Sequence, residues 1–282
     1  MTAASALKRV RKTLLNAGIE DAQLEARALT QAVLKIGSTA FLTDDSDIDE
    51  RLLSELFKKA EKRADGYPLQ YIIGEWEFFS LPFAVGEGVL VPRQDTEQLV
   101  LFAIEFLKEK PNAEVIDLCS GSGCIAISIA KHFPKAKVTA VEKSDRAFSY
   151  LLKNIEKNNV KVNAVLGDIA ELETKKHYDL VVSNPPYIES DVLPTLQKEV
   201  KHEPAMALDG GNDGLSFYRL IAMRWLPKIK HGGALAVEIG YNQKAAVTEI
   251  FQKAGIENVR CIKDYGGNNR TIVGTVNSDC VE

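Results

Sequence analysis

The sequence predicts an α/β protein in two parts: a small N-terminal helical domain, then a doubly wound, mostly parallel sheet, the two joined by a β-hairpin. Three observations carry this. Apolar residues recur at three-and-four spacing as far as about Ile73, aromatic residues and alternation replace that spacing from Gly74 to Val91, and from Glu114 onward seven strand-like runs alternate with helical ones. The chain has 282 residues, 45% of them hydrophobic and 26% charged, which leaves room for one large and one small domain. The expected divisions are 1–73, 74–91 and 92–282.

In the first segment, Leu7, Val10, Leu14 and Leu15, then Leu24, Ala28 and Leu29, then Leu52, Leu53, Leu56 and Phe57 mark the inward stripes of a helical bundle. Gly18 and Gly37 fall where helices stop, and Thr43-Asp44-Asp45-Ser46-Asp47 reads as a polar loop carrying capping residues for the next helix. Eleven Lys/Arg balance eleven Asp/Glu up to Ile73. Within them Lys58, Lys59, Lys62 and Arg63 form one basic helix face, read as solvated surface ahead of a docking site. The hairpin carries Trp76, Phe78, Phe79, Phe83, Val85, Val89 and Val91 and is broken by Pro82 and by Gly86-Glu87-Gly88. Pro92-Arg93-Gln94-Asp95-Thr96-Glu97 then leads into a helix through about Lys108, capped by Asp95 or Thr96. Arg93 either points into a site or pairs with a neighbouring acid. Strands are expected at 114–118, 137–141, 161–166, 178–183, 234–239, 256–262 and 271–275. The loop from Lys263 to Arg270 is too short for a helical crossover, so the last two strands should pair antiparallel.

The formal net charge of −4 supplies no global basic field to draw the protein onto nucleic acid or an anionic membrane, although a local patch stays open. Cys119, Cys124, Cys261 and Cys280 lack C-x-x-C spacing, and His132, His177, His202 and His231 stand singly, so no metal is expected. No charged-then-apolar signal segment opens the chain, and no apolar run approaches a membrane span. The expectation is a cytoplasmic protein with reduced thiols.

The run Leu180-Val181-Val182-Ser183 suits a buried parallel strand, and Pro185 and Pro186 cannot continue its ladder, so the strand must end at Asn184. Asn184, Pro185, Pro186 and Tyr187 then make a stiff ledge at the carboxyl end of a strand, where open α/β sheets bind ligands. Its carboxamide and carbonyl oxygens would accept two N–H bonds from a planar –NH2 group, with the Tyr187 ring on the flat side. The plainer alternative is a Pro-Pro turn followed by a Tyr that merely packs. Asp117-Leu118-Cys119-Ser120-Gly121-Ser122-Gly123-Cys124 follows the first strand of the sheet and opens the next helix, and Gly121 and Gly123 allow close approach of a ligand. Ala126 stands where a dinucleotide fingerprint has its third glycine, and the P-loop Lys is absent, so phosphate binding loses ground. Glu142 ends the second strand where a carboxylate can accept both hydroxyls of a ribose, or is a surface acid. Asp168, after Gly167, could meet an adenine amino group, with Ile169 beside its ring. Three such strand ends together describe an adenosine without phosphate, and S-adenosyl-L-methionine is the obvious cofactor of that kind.

Over nearly its whole length the chain resembles the HemK/PrmC family, the glutamine methyltransferases that modify the Gly-Gly-Gln loop of class-1 peptide chain release factors, within the Rossmann-like S-adenosylmethionine-dependent methyltransferases. The resemblance rests on Gly66-Tyr67-Pro68-Leu69-Gln70-Tyr71-Ile72-Ile73-Gly74, on Val89-Leu90-Val91-Pro92-Arg93 with Thr96-Glu97, on the glycine turn and the Asn-Pro-Pro-Tyr ledge, and on Glu203-Pro204, Ala207-Leu208 and Gly210-Gly211-Asn212-Asp213-Gly214-Leu215. It implies a seven-stranded methyltransferase sheet and a helical domain that helps hold the release factor. By the same resemblance, cofactor is bound through residues 119 to 123, Glu142 and Asn184, and the substrate glutamine through Asn184 to Tyr187. With the residue reading, the candidate cofactor-binding residues are Asp117, Cys119, Ser120, Gly121, Ser122, Gly123, Glu142, Asp168, Ile169 and Asn184. The substrate candidates are Asn184, Pro185, Pro186 and Tyr187, with Asn184, Pro185 and Tyr187 in catalysis. The departures are Cys119 and Ser120 where Gly and Thr are frequent, Gln94 where Pro is usual, and Ile169 where an aromatic often flanks the adenine. Two other readings remain. A methyltransferase acting on the amino group of adenine in DNA or RNA would use the same ledge but usually carries a basic target-binding region. A non-catalytic adenosine-binding module would have no need of a substrate floor. Release factors are the expected partners, with no stable nucleic-acid binding and no membrane.

Overall fold

The computed structural model describes residues 1–37 and 47–276, so the expected polar loop at Thr43 to Ser46, and Cys280, lie outside the described residues. The chain divides into two compact units, Met1–Glu75 with Gln197–His202, and Trp76–Leu196 with Glu203–Glu282. Among the described residues no helix is long and apolar enough to cross a membrane.

In the first unit the helices are Ala3–Asn16, Ala22–Leu34, Glu50–Ala64 and a short turn Leu69–Ile73. Their shared core is Ala6, Val10 and Leu14, then Ala26, Leu29 and Val33, then Leu56 and Ala60. Alanine is buried on each of the three longer helices, so the inward stripes are not those of the large residues alone. Leu15, Leu24 and Leu52, expected inward, are exposed. The basic face also needs correction. Lys58 and Lys62 are exposed, but Arg63 belongs to the inward stripe and is only 5% exposed. Its guanidinium donates from Nε to Glu25 Oε2 at 2.6 Å and pairs through Nη2 with Glu199 Oε2 at 2.7 Å. A guanidinium taken out of water needs such partners, and the second of them ties Gln197–His202 to this unit.

The second unit begins with the expected hairpin, β1 (Glu75–Phe78) and β2 (Leu81–Ala84). Its turn is Phe79-Ser80, both at positive φ (50° and 59°), and Pro82 lies inside β2 instead of breaking it. A two-stranded ribbon tolerates this because Pro can face away from the single partner strand. Asn154, on the helix Asp145–Asn158, pins the ribbon by accepting from the Ala84 N–H at 2.7 Å and donating to its carbonyl at 3.1 Å. The next helix, Glu97–Leu107, follows a 3-10 turn at Gln94–Thr96. Thr96 stands at the N-cap position, but neither expected side chain makes a capping hydrogen bond: Asp95 pairs with Arg270 at 3.3 Å, and the Thr96 hydroxyl is spent on Glu238.

The sheet has seven strands, β3 (Glu114–Leu118), β4 (Lys137–Glu142), β5 (Val162–Leu166), β6 (Tyr178–Ser183), β7 (Ile229–Glu238), β8 (Glu257–Lys263) and β9 (Asn269–Thr275). Their order is β5-β4-β3-β6-β7-β9-β8. β9 runs antiparallel to both neighbours, as the short β8–β9 loop requires, and the remaining pairs are parallel. Strands β3, β4 and β6 are buried on both faces and so read as apolar runs, whereas the edge strands β5 and β8 are largely open. Side-chain alternation sends Val115, Leu180, Val182, Ala234 and Ala236 into a layer with the helices Glu97–Leu107 and Cys124–His132. The alternate residues Ile116, Leu118, Val181, Leu235 and Val237 meet the helices Ser216–Arg224 and Lys244–Lys253 on the other face. From β3 the chain winds outward through β4 and β5, then returns to the other side of β3 as β6. The connections that leave the paired carboxyl ends of β3 and β6 therefore part at the switch point, which is where a cleft forms in such sheets.

Candidate active site

A cleft opens at those strand ends. The sequence candidates that line it are Cys119, Ser120, Gly121, Ser122, Glu142, Asp168, Ile169, Asn184 and Pro186. Asp117, Gly123, Pro185 and Tyr187 are not among the lining residues, and Asp117 supports one that is, Ser120.

The glycine turn is held from below. Asp117 is fully buried at the end of β3, and its Oδ2 accepts from Ser120 Oγ at 2.5 Å and from the Ala126 N–H at 3.2 Å. Its Oδ1 has no hydrogen-bond partner, and burial pushes the carboxyl up to about 7. Gly121 and Gly123 take positive φ, 56° and 82°. At Gly123 an added Cβ would also lie 2.4 Å from Leu151 Cδ1, so that buried side chain would have to shift. Cys119 shares the left-handed conformation at φ 59°, which costs a residue with a Cβ about 1 kcal/mol.

Glu142 ends β4 and is 8% exposed. Its Oε2 accepts from the Gly121 N–H at 2.8 Å and its Oε1 from the Ser144 N–H at 2.7 Å. A carboxylate has about four lone-pair sites, so two stay available to neighbouring hydroxyls. Asp168 lies beyond β5, held by the Ala170 N–H at 2.8 Å and paired with Lys143 at 2.7 Å. The Lys143 ammonium keeps its carboxyl below the ordinary range. Arg93 lines the cleft and also pairs with Glu203, so the two roles open to it in the sequence are both filled. Each cation at the cleft therefore has a carboxylate partner, and the glycine turn carries no charge. Neutral turn, hydroxyl-accepting carboxylate and the apolar wall of Ile169, Leu90 and Val141 together fit a nucleoside that bears no phosphate.

Asn184 follows β6 directly. Its Nδ2 donates to Thr96 Oγ1 at 3.1 Å, which in turn donates to Glu238 Oε2 at 2.6 Å. Tyr187 is half-buried, and its hydroxyl donates to the other Glu238 oxygen at 3.3 Å. Burial raises its phenol well above the ordinary value, so it stays protonated. The main chain of the ledge is fixed as well: Gln243 Nε2 donates to the Tyr187 carbonyl at 2.9 Å, and Ile188 exchanges bonds with Leu208 and Gly210. Within the ledge Pro185 and Pro186 are buried. Thr96, Glu238, Gln243 and Lys143 are site residues that the sequence reading missed. Glu238 had a visible signal, an acid inside the apolar run Ala234 to Ile239, whereas Gln243 and Lys143 had none.

Residues 5–74 match the family model described as the PrmC N-terminal domain, and residues 95–211 match the model described as the methyltransferase small domain. The chain is 38% identical over 265 residues to the release factor glutamine methyltransferase of Clostridium botulinum, covering 92% of this chain and 94% of that one. It is 38% identical over 266 residues to the protein of the same name from Geobacter sulfurreducens, covering 93% of each. Among solved structures, a methyltransferase from Pyrococcus furiosus superposes with a TM-score of 0.53 at 22% identity, over 82% of this chain and 100% of that chain. That likeness is one of fold, a Rossmann-like methyltransferase sheet.

Proposed function

The chain belongs to the release factor glutamine methyltransferase family, and from that premise we propose that it transfers a methyl group from S-adenosyl-L-methionine to the side-chain amide nitrogen of the glutamine in the Gly-Gly-Gln motif of class-1 peptide chain release factors. The observation that carries the reading is the polarity of Asn184. Its NH2 end is given to Thr96, so its Oδ1 is the end left for a ligand, and an acceptor at that place suits a planar –NH2.

S-adenosyl-L-methionine, when bound, supplies an electrophilic methyl group on a sulfonium. The protein's part is to make a poor nucleophile adequate, since the lone pair of an amide nitrogen is delocalised into its carbonyl. Asn184 Oδ1 and the Pro185 carbonyl accept the two N–H bonds, which orients the nitrogen and stabilises positive charge developing on it. Tyr187, with its hydroxyl anchored on Glu238, keeps its ring against the amide plane. The released proton goes to solvent. Glu142 takes the ribose hydroxyls, residues 119 to 123 approach the cofactor through the glycine turn, and Asp168 and Ile169 take the adenine end. The helical unit helps to hold the release factor.

Two outcomes follow. Tandem mass spectrometry of a release factor treated with enzyme and cofactor should place one added methyl on the glutamine side chain of the loop; a methyl elsewhere, or none, contradicts the reading. Glu142→Gln keeps the shape but gives up a charged acceptor, so calorimetry should show cofactor binding weaker by roughly 2 kcal/mol, about 30-fold in Kd. An unchanged Kd would remove Glu142 from the ribose site.

A further inference from the structure

At the carboxyl end of β7 the chain buries an acid, Glu238, to 1% exposure, with both carboxylate oxygens turned to the floor of the cleft. Oε2 accepts a hydrogen bond from the Thr96 hydroxyl, Oε1 accepts one from the Tyr187 hydroxyl, and Thr96, itself 1% exposed, accepts from Asn184 Nδ2. A hydroxyl has one proton to give. With that proton committed to an ionised Glu238, Thr96 can offer Asn184 only a lone pair. The carboxamide must then present its NH2 to Thr96 and its Oδ1 to the cleft.

We propose that Glu238 is a positioning residue that acts through Thr96 to set which end of the Asn184 carboxamide faces the substrate, and that this setting is lost when Glu238 takes up a proton. The inference rests on the reading of Asn184 as acceptor for the substrate –NH2. A protonated Glu238 becomes a donor, and Thr96 is then free to send its own proton to Asn184. The carboxamide turns over, its NH2 meets the substrate –NH2, and two donors face each other with no acceptor between them.

The surroundings hold the acid near this balance. Arg270, at the start of β9, attracts the carboxylate and is itself paired with Asp264 at 3.1 Å and Asp95 at 3.3 Å. Tyr187 comes from the ledge, and Tyr218, on the helix Ser216–Arg224, donates to the Glu238 main-chain carbonyl at 3.0 Å. Cys124, at the start of the helix Cys124–His132, and Asp95, in the 3-10 turn, are further titratable groups in its field. Burial pushes the Glu238 carboxyl up to about 7, against the lowering pull of the Thr96 hydrogen bond and of Arg270. The ionised form is the productive one, so the rate should be low below that pH and rise through it to a plateau.

The test is steady-state kinetics on a release factor between about pH 5.5 and 9, at saturating cofactor, for wild type, Glu238→Gln and Thr96→Val. Expected on the plateau is a fall in kcat of about 10²-fold in each variant, with KM for the release factor little changed and the combined variant no worse than either alone. The acid limb should vanish in Glu238→Gln, and Thr96→Ser should recover most of the rate lost in Thr96→Val. Wild-type kcat in Glu238→Gln, or losses that multiply in the combined variant, would overturn the proposal. So would an acid limb that survives in Glu238→Gln, since it would then belong to another group such as Asp117. A substrate-free reading keeps the two ideas apart. The Asn184 side-chain NH2 resonances of the wild-type protein, identified by their loss in Asn184→Asp, should move with a midpoint near that of Glu238. Resonances that stay flat overturn the proposal. Resonances that titrate while no methyl reaches a release factor support the proposal, and the functional reading alone fails.

Discussion

Asn184→Ala should lower kcat by about 10³-fold, the scale of losing one preorganised electrostatic partner of a transition state, while weakening cofactor binding less than about tenfold. The asymmetry follows from position. Asn184 stands at the switch point, where the connections leaving β3 and β6 part, and the nucleoside is gripped mainly from β3, β4 and β5 through the glycine turn, Glu142 and Asp168. Without the carboxamide, one N–H of the substrate –NH2 loses its acceptor and the nitrogen its orientation. The fold has little stake in the side chain, which is half-buried and bonded only through Nδ2 to Thr96. Single-turnover rates and calorimetric cofactor affinity on one preparation separate the two effects. Full turnover in the alanine variant would remove Asn184 from the reaction.

Gly210→Ala should be nearly as damaging without touching a ligand. Gly210 is chosen for space and not for φ: a Cβ there would lie 2.7 Å from Tyr187 Cα, 2.9 Å from Tyr187 C and 3.0 Å from Gly214 Cα. All three are main-chain atoms, so no rotamer change can relieve the clash. The ledge is also clamped on that side, since the Gly210 N–H donates to the Ile188 carbonyl at 2.8 Å. The Tyr187 backbone must shift, at a cost of about 2 kcal/mol of stability, and displacement of a positioning group by ~1 Å is enough for a loss near 10²-fold in kcat. Cofactor affinity should hardly change. Denaturant melts beside steady-state rates check both parts; a stable, fully active variant would mean that the ledge does not depend on this contact.

Much of this architecture could be read from local rules. Pro185 and Pro186 stop a strand wherever they stand, Gly121 and Gly123 mark a turn that closes against a ligand, and an acid at the end of a buried strand, as at Glu142, points at the cleft. The antiparallel β8–β9 pair followed from loop length alone. What escaped depends on residues far apart in the chain. Thr96 meets Glu238 across 142 positions, and the spacing that made Thr96 resemble a helix cap says nothing about a hydroxyl drawn toward a buried carboxylate. Arg63 sits in a run of basic residues, and only the arrival of Glu25 and Glu199 decides that it turns inward. The hairpin turn at Phe79-Ser80 escaped because Phe at positive φ has no local preference behind it, and neighbouring contacts hold it there: the Phe79 N–H donates to Glu97 at 3.1 Å, and its ring meets His132. Pro82 was the stronger local signal, and it pointed to the wrong break, whereas Gly86-Glu87-Gly88 does mark a turn after β2.

The most direct measurement is transfer of labelled methyl from S-adenosyl-L-methionine to a purified class-1 release factor, beside a version with the loop glutamine replaced and beside DNA. The account predicts label on the intact release factor, none on the substituted one and none on DNA. Label on DNA, or equal label on both release factors, would contradict it.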